Sequence, residues 1–255
     1  MKPNRLIPLA PLVSFAGIIV CWELCVQLGG WSRQVLPGPE TVLAGMWELV
    51  VDGTLVRHTV ASLFRVTAGF YLAMLLGIPT GILIGRLALL NRFVNPVIQF
   101  LRPISPLAWI PLAMLWFGIG DKPAVFLIFL SSYFPLVVST AIAVRAINPI
   151  YFQVAANFDF STVEVITQVV VPAVVPAIIT ALRITVMIAW VVVVAAEMIA
   201  VQSGLGYLIL DSRNALRMDY VMDGMIMIGL IGLMLDGIMR RLGRIECTAW
   251  QRPGQ

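Results

Sequence analysis

Three residues in one long apolar stretch, residues 173–199, have types and spacing that could do chemistry. Arg183, Trp190 and Glu197 recur every seven residues, which puts them on one face of a helix. A guanidinium in a membrane-length apolar run is costly unless it faces protein, water or a counter-charge. Arg183 could therefore line a path for an anion. Pairing with Asp236 or a backbone carbonyl, or snorkelling to a nearby surface, would serve it equally. Glu197, near the end of the same run, reads as a gate residue or as a solvated helix end. Trp190 between them reads as part of that face or as ordinary packing, and Met222, Met225 and Met227 read as packing or lipid-facing side chains.

Other chemistries find little support. The chain has one histidine and three cysteines. His58 has no cysteine or carboxylate at ligand spacing and reads as a surface or interfacial residue. Cys21 and Cys25, four apart, share a helix face without ligand companions and read as small buried hydrophobes. Cys247 falls in a polar tail. Metal catalysis, a Ser–His nucleophile and a disulfide framework are thus unsupported. No Gly-x-x-x-x-Gly-Lys-Ser/Thr occurs, so the chain lacks a loop to cradle ATP phosphates. No Lys/Arg run is interleaved with aromatics, which sets nucleic-acid binding aside.

The elements that must position these residues follow from composition. Hydrophobic residues make up 60% of the 255 and charged residues 12%, against about 45–50% and about 25% in soluble domains. So few charges cannot cover a soluble surface, and lipid must cover it instead. A span needs about 20 apolar residues, and six segments qualify: 6–28, 66–84, 97–117, 124–144, 173–199 and 221–239. The expected fold class is an all-α membrane protein of about six transmembrane helices in a single domain. The first segment is too long for a signal-peptide core and reads as an uncleaved span. Pro103, Pro106 and Pro111 mark the third, which membrane helices tolerate. Lys2, Arg5, Arg86, Arg92, Arg145, Arg240, Arg241, Arg244 and Arg252 fall on one side of this six-span arrangement. The positive-inside rule makes that side cytoplasmic, with both termini inside. The net charge of +4 fits basic inner loops. On the outer side, residues 29–65 read as a periplasmic helical segment. Pro39 and Glu40 start an amphipathic helix there, Asp52-Gly53 stops it, and a second short helix carries His58.

The segment 149–171 reads as two short helices with a bend on the cytoplasmic side. Asn148 before Pro149 suits a helix start. Asn157 and Asp159 tolerate a left-handed turn. Ser161-Thr162-Val163-Glu164 is a capping box. Tyr151, Phe152, Phe158 and Phe160 then need cover, from a partner, from the bundle or from the membrane interface.

This loop resembles the Glu-Ala-Ala loop of ATP-binding cassette importer permeases. With the family's proline on Pro172, Gln153-Val154-Ala155 fall on Glu-Ala-Ala, Asp159 falls on the glycine, and Val169 and Val171 fall on the apolar positions. Gln153 and Asp159 depart from the family residues. Leu36-Pro37-Gly38-Pro39, residues 61–66, residues 101–112, Leu115-Trp116-Phe117-Gly118-Ile119-Gly120, Ala195-Ala196-Glu197-Met198 and Gly204-Leu205-Gly206 are similar to the nitrate/sulfonate/bicarbonate (taurine-type) branch. The resemblance implies a type I importer permease fold with a cytoplasmic coupling helix. It implies no enzyme activity and no cofactor in this chain, with ATP and Mg on two partner ATPase subunits. It further implies a periplasmic or lipid-anchored solute-binding protein, a second permease copy as a homodimer, and a bacterial inner-membrane location. The coupling residues it implies are Gln153, Val154, Ala155, Ala156, Asn157, Phe158, Asp159, Phe160, Ser161 and Glu164, with Ala155 and Ala156 small enough for close approach. In that setting Glu197 could also touch the binding protein. A secondary, ion-coupled transporter is the alternative; it would need more mid-membrane ionisable residues than Arg183.

Overall fold

The computed structural model describes residues 10–30, 32 and 35–250. Lys2, Arg5, Arg33 and Arg252 lie outside the described residues. Regular structure among the described residues is helical: α1 Ala10–Leu28, α2 Pro39–Val51, α3 Thr54–Arg86, α4 Ala88–Leu101, α5 Ile110–Phe117, α6 Asp121–Arg145, α7 Pro149–Asn157, α8 Thr162–Glu164, α9 Val171–Ala200, α10 Leu205–Asn214 and α11 Met218–Trp250.

Among the described residues four helical stretches are long and apolar enough to cross a bilayer: Thr54–Arg86, Asp121–Arg145, Thr162–Ala200 and Met218–Arg241. A fifth apolar stretch is sharply bent. α4 and the 106–117 stretch meet at 87°, so the apolar run 97–117 is not one straight helix. Pro103 cannot donate to the α4 ladder, and Pro106 opens a fresh 3-10 turn, Pro106–Trp109, that leads into α5. Within the described part of the first segment, Val13–Leu28 is a shorter apolar helix.

α3 and α6 form the tightest pair. Gly69, Ala73, Gly77, Gly81 and Gly85 recur every four residues on one face of α3. A β-carbon at Gly69 would sit 2.7 Å from Ile128 Cβ, and one at Gly81 would sit 2.6 Å from Thr140 Cβ. The missing side chains let the two backbones close up, the packing that helices use in lipid, where hydrophobicity alone does not join them. α9 packs against α6 and α11. Trp190 is buried there with Leu55, Ile128, Val193, Leu205 and Ile231.

Several expectations are corrected. α3 begins at Thr54 and is continuous through residue 65, so no separate short helix carries His58. No proline interrupts α3 before Pro79, and Leu55, Ser62, Arg65, Val66 and Gly69 keep helical spacing toward the core. Cys21 and Cys25 are exposed and free. α1 stands on the rim, tied to the turn before α2 by the Trp22 indole N–H donating to Pro37 O at 3.1 Å. The polar tail after residue 239 stays helical to Trp250.

Candidate functional site: a bent loop and a buried ionic knot

The loop between α6 and α9 builds its shape from local hydrogen bonds. Asn148 Oδ1 accepts the Ile150 N–H at 3.0 Å and caps α7, with Pro149 in the first helical position. Asp159 takes the left-handed conformation, φ 51°. The turn closes through the Phe160 N–H to Ala155 O at 3.0 Å and the Asp159 N–H to Ala156 O at 3.1 Å. Ser161 and Glu164 form the capping box: the Ser161 N–H donates to Glu164 Oε2 at 2.7 Å, and the Glu164 N–H to Ser161 Oγ at 3.3 Å. From there the chain runs into α9 without a break, through one widened turn of π type, Val165–Val170. Pro172 lacks an N–H and its ring crowds the carbonyl four residues earlier, a constraint the wider turn relieves.

Burial divides the loop into an inner and an outer face. Ala155 is 2% exposed and faces the bundle. The chain itself covers its side chain, so of the two small residues only Ala156 lies on the open face. Phe152 packs beside Val144, Val170, Val174 and Ile178, with the Arg86 guanidinium 4.5 Å from its ring centroid. Phe160 is half-buried and lies 6.5 Å from Phe158, centroid to centroid. Tyr151, Val154 and Phe158 point outward, Phe158 with 72% of its surface exposed. Their spacing of three and four makes one stripe. Gln153, Ala156, Asn157, Asp159, Ser161 and Glu164 are exposed around it.

The other end of the bundle holds a buried ionic knot. Arg65 of α3 is 2% exposed. It reaches Glu197 Oε1 at 2.6 Å, Asp121 Oδ1 at 2.7 Å and Ser203 O at 2.8 Å, and it also bonds Ser203 Oγ. Glu197 of α9 is fully buried and accepts further from the Ser62 hydroxyl at 2.8 Å and the Gly206 N–H at 3.0 Å. Ser62 Oγ takes the Leu205 N–H at 2.9 Å, and His58 Nδ1 takes the Gly204 N–H at 2.9 Å. Side chains of α3 and α9 thus satisfy the first free N–H groups of α10. Gly204, at φ 104°, lies against the Glu197 carboxylate, where no side chain fits.

The three residues at seven-residue spacing are not gathered into one site. Glu197 belongs to the knot, so it is neither a solvated helix end nor open to an outside partner in this conformation. Trp190 is buried, and its indole N–H donates to Ile228 O at 3.1 Å. Arg183 pairs with Asp236 Oδ1 at 2.9 Å, a carboxylate that Arg240 also engages. His58 is half-buried, stacked on Tyr207 with centroids 6.0 Å apart. The sequence reading missed Arg65, Ser62, Asp121 and Ser203. One signal was present: His58, Ser62 and Arg65 keep helical spacing at the head of an apolar run. Among the described residues no group of three His, Cys, Asp or Glu side chains could hold a metal ion.

Residues 77–245, which include the whole loop and the helices on either side of it, match the family described as binding-protein-dependent transport system inner membrane component. The chain belongs to this family. It is 34% identical over 229 residues to a putative aliphatic sulfonates transport permease of Bacillus subtilis, covering 90% of this chain and 83% of that protein. It is 33% identical over 259 residues to a nitrate import permease of Synechococcus elongatus, covering 96% and 92%. The fold is similar to that of a chain of the MetNI methionine ABC transporter in inward-facing conformations, with TM-score 0.67 at 16% identity, over 76% of this chain and 96% of that one. The chain is therefore an all-helical, multi-pass membrane permease subunit of an ATP-binding cassette importer.

Proposed function

We propose that the permease forms the two-fold half of an importer: two copies of this chain, two ATPase subunits docked on the bent loops, and a solute-binding protein at the knot end. The solute is a small anion of the nitrate, bicarbonate or aliphatic sulfonate and taurine class. The loop end faces the cytoplasm of a bacterial cell, both termini lie on that side, and the knot end faces outward. ATP binding and hydrolysis belong to the partner subunits. The loop acts as a short rigid element whose two positions differ in contact with the ATPase, so that nucleotide biases the bundle between two states.

One observation carries this reading. The loop keeps its inner residues Phe152 and Ala155 on the bundle while turning Tyr151, Val154 and Phe158 outward with no cover from the chain. The test is the reconstituted complex. Phe158→Ala and Ala156→Arg should insert normally yet lose transport and binding-protein-stimulated ATP hydrolysis. Normal transport by both variants would remove the loop from the coupling role. The solute class is tested by screening the cognate binding protein against nitrate, bicarbonate, taurine and other sulfonates. Its binding only neutral or cationic solutes would overturn the anion assignment.

A further inference from the structure

The bend between α4 and the 106–117 stretch leaves a charge at mid-depth of the bundle. α4 ends at Leu101, and Arg102 follows in the turn that Pro103 and Pro106 force open. Beside it is a cavity of about 200 Å³ lined by Arg102, Ile104, Trp109, Ser131, Phe134 and Ile188, among others. Ser131 lies ten residues into α6, roughly 15 Å from its knot end and about 21 Å from its loop end at 1.5 Å per residue. Ile188 lies in the middle part of α9 as well. The cavity therefore sits near the centre of the bundle's height, and Arg102 sits with it.

Arg102 differs from Arg65 and Arg183. Arg65 has Glu197 and Asp121, and Arg183 has Asp236. Among the described residues Arg102 has no ion pair and no side-chain hydrogen bond, and it is exposed in the single chain. The C-terminal end of α4 favours a positive charge there. A free guanidinium at that depth cannot face lipid at reasonable cost. It must face water, a ligand or the second copy of the chain. The walls are otherwise mostly apolar, and the Ser131 hydroxyl is committed to Ile128 O at 2.8 Å, which leaves the guanidinium as the one charge in the cavity. The Trp109 indole N–H has no partner among the described residues either.

We infer that this cavity is an oxyanion subsite on the permeation path, with the Arg102 guanidinium as its charge and Trp109 as a wall. The planar fork of arginine matches two oxygens of a nitrate, carboxylate-like or sulfonate group, and it is weakly hydrated enough to work between apolar walls. One unpaired charge attracts an anion without holding it as a closed cage would. This inference rests on the reading of the chain as an anion-importing permease, and it assigns the central charge to Arg102, while Arg183 keeps its own counter-ion.

The test uses the full importer in proteoliposomes, with labelled nitrate, bicarbonate and taurine as probes. For whichever anion the unaltered permease carries, Arg102→Gln should cut transport about ten- to a hundredfold, with stimulated ATP hydrolysis retained. Arg102→Lys should fall between the two. In a background with Cys21, Cys25 and Cys247 changed to serine, Arg102→Cys should react with water-soluble methanethiosulfonates. A cationic reagent should restore part of the transport, and a neutral one should not. Wild-type rates for Arg102→Gln overturn the subsite while leaving the anion reading intact. Failure of Arg102→Cys to label, as a side chain of the second copy seated on it would cause, also overturns it. An unaltered permease that carries none of the three anions but a neutral or cationic solute removes the anion reading itself.

Discussion

The two ends of the bundle solve opposite problems. At the knot, the buried groups Arg65, Glu197 and Ser62 and the N-terminus of α10 satisfy one another across more than 130 residues of sequence, as the 132-residue separation of Arg65 and Glu197 shows. At the loop, every structural hydrogen bond is local, and large apolar groups lie open. The first arrangement makes a junction of α3, α6, α9 and α10 that the chain completes alone. The second makes a preformed shape whose outer stripe the chain leaves uncovered. A region that finishes its own contacts suits a structural anchor, and one that folds itself yet exposes Phe158 suits the docking role proposed above.

That contrast can be broken in graded steps. The largest effect is expected from Glu197→Leu. It strands Arg65 without its inner counter-charge and leaves Ser62 and the Gly206 N–H unanswered, a loss on the order of 3–5 kcal/mol. A sharply lowered unfolding midpoint of the purified permease in detergent would show it; an unchanged midpoint would contradict the junction. Phe158→Ala should do the reverse. Its midpoint should hold, while affinity for the ATPase drops by the worth of a buried phenylalanine, about 1.5–3 kcal/mol. Binding of purified ATPase to the permease in nanodiscs reads this, and equal affinity would take Phe158 out of the interface. Ser161→Ala should cost about 1 kcal/mol, confined to the start of the second helix. Faster hydrogen exchange over 161–166, with no change around residue 197, is the expected pattern. Smallest is Asp159→Gly, which relieves a left-handed residue of roughly 1 kcal/mol of strain or less. Transport should stay within about twofold of the unaltered permease, and a severe loss would mean that the Asp159 carboxylate itself acts in docking.

Much of the loop was legible because its determinants are neighbours in sequence. Asn148-Pro149, Asp159 and Ser161 to Glu164 each act over four residues or fewer, and each adopts the local geometry that its residue type favours. The division into faces was not legible. Ala155 and Ala156 look alike in sequence, and only packing against the bundle separates the buried one from the exposed one. The knot was missed for the matching reason: its members are far apart in the chain, and the expectation of a periplasmic segment up to residue 65 placed His58 and Arg65 outside the membrane bundle. The prolines at 103 and 106 marked a disturbed third segment, but a residue type does not give the 87° angle or the depth at which Arg102 is left.

The glycine stripe on α3 has a mechanical consequence. Two rods joined along their whole length resist bending far more than either alone, because curving one means shearing the joint. With Gly69, Gly77, Gly81 and Gly85 against α6, no soft layer of long side chains lies between the backbones to absorb that shear. The α3–α6 pair is a stiff beam of roughly 37 Å, the length of 25 helical residues. A push delivered beside Arg145, at the loop, would then reach Asp121, at the knot, mainly as tilt of the pair, with Pro79 in α3 and Pro135 in α6 as the points where bending could enter.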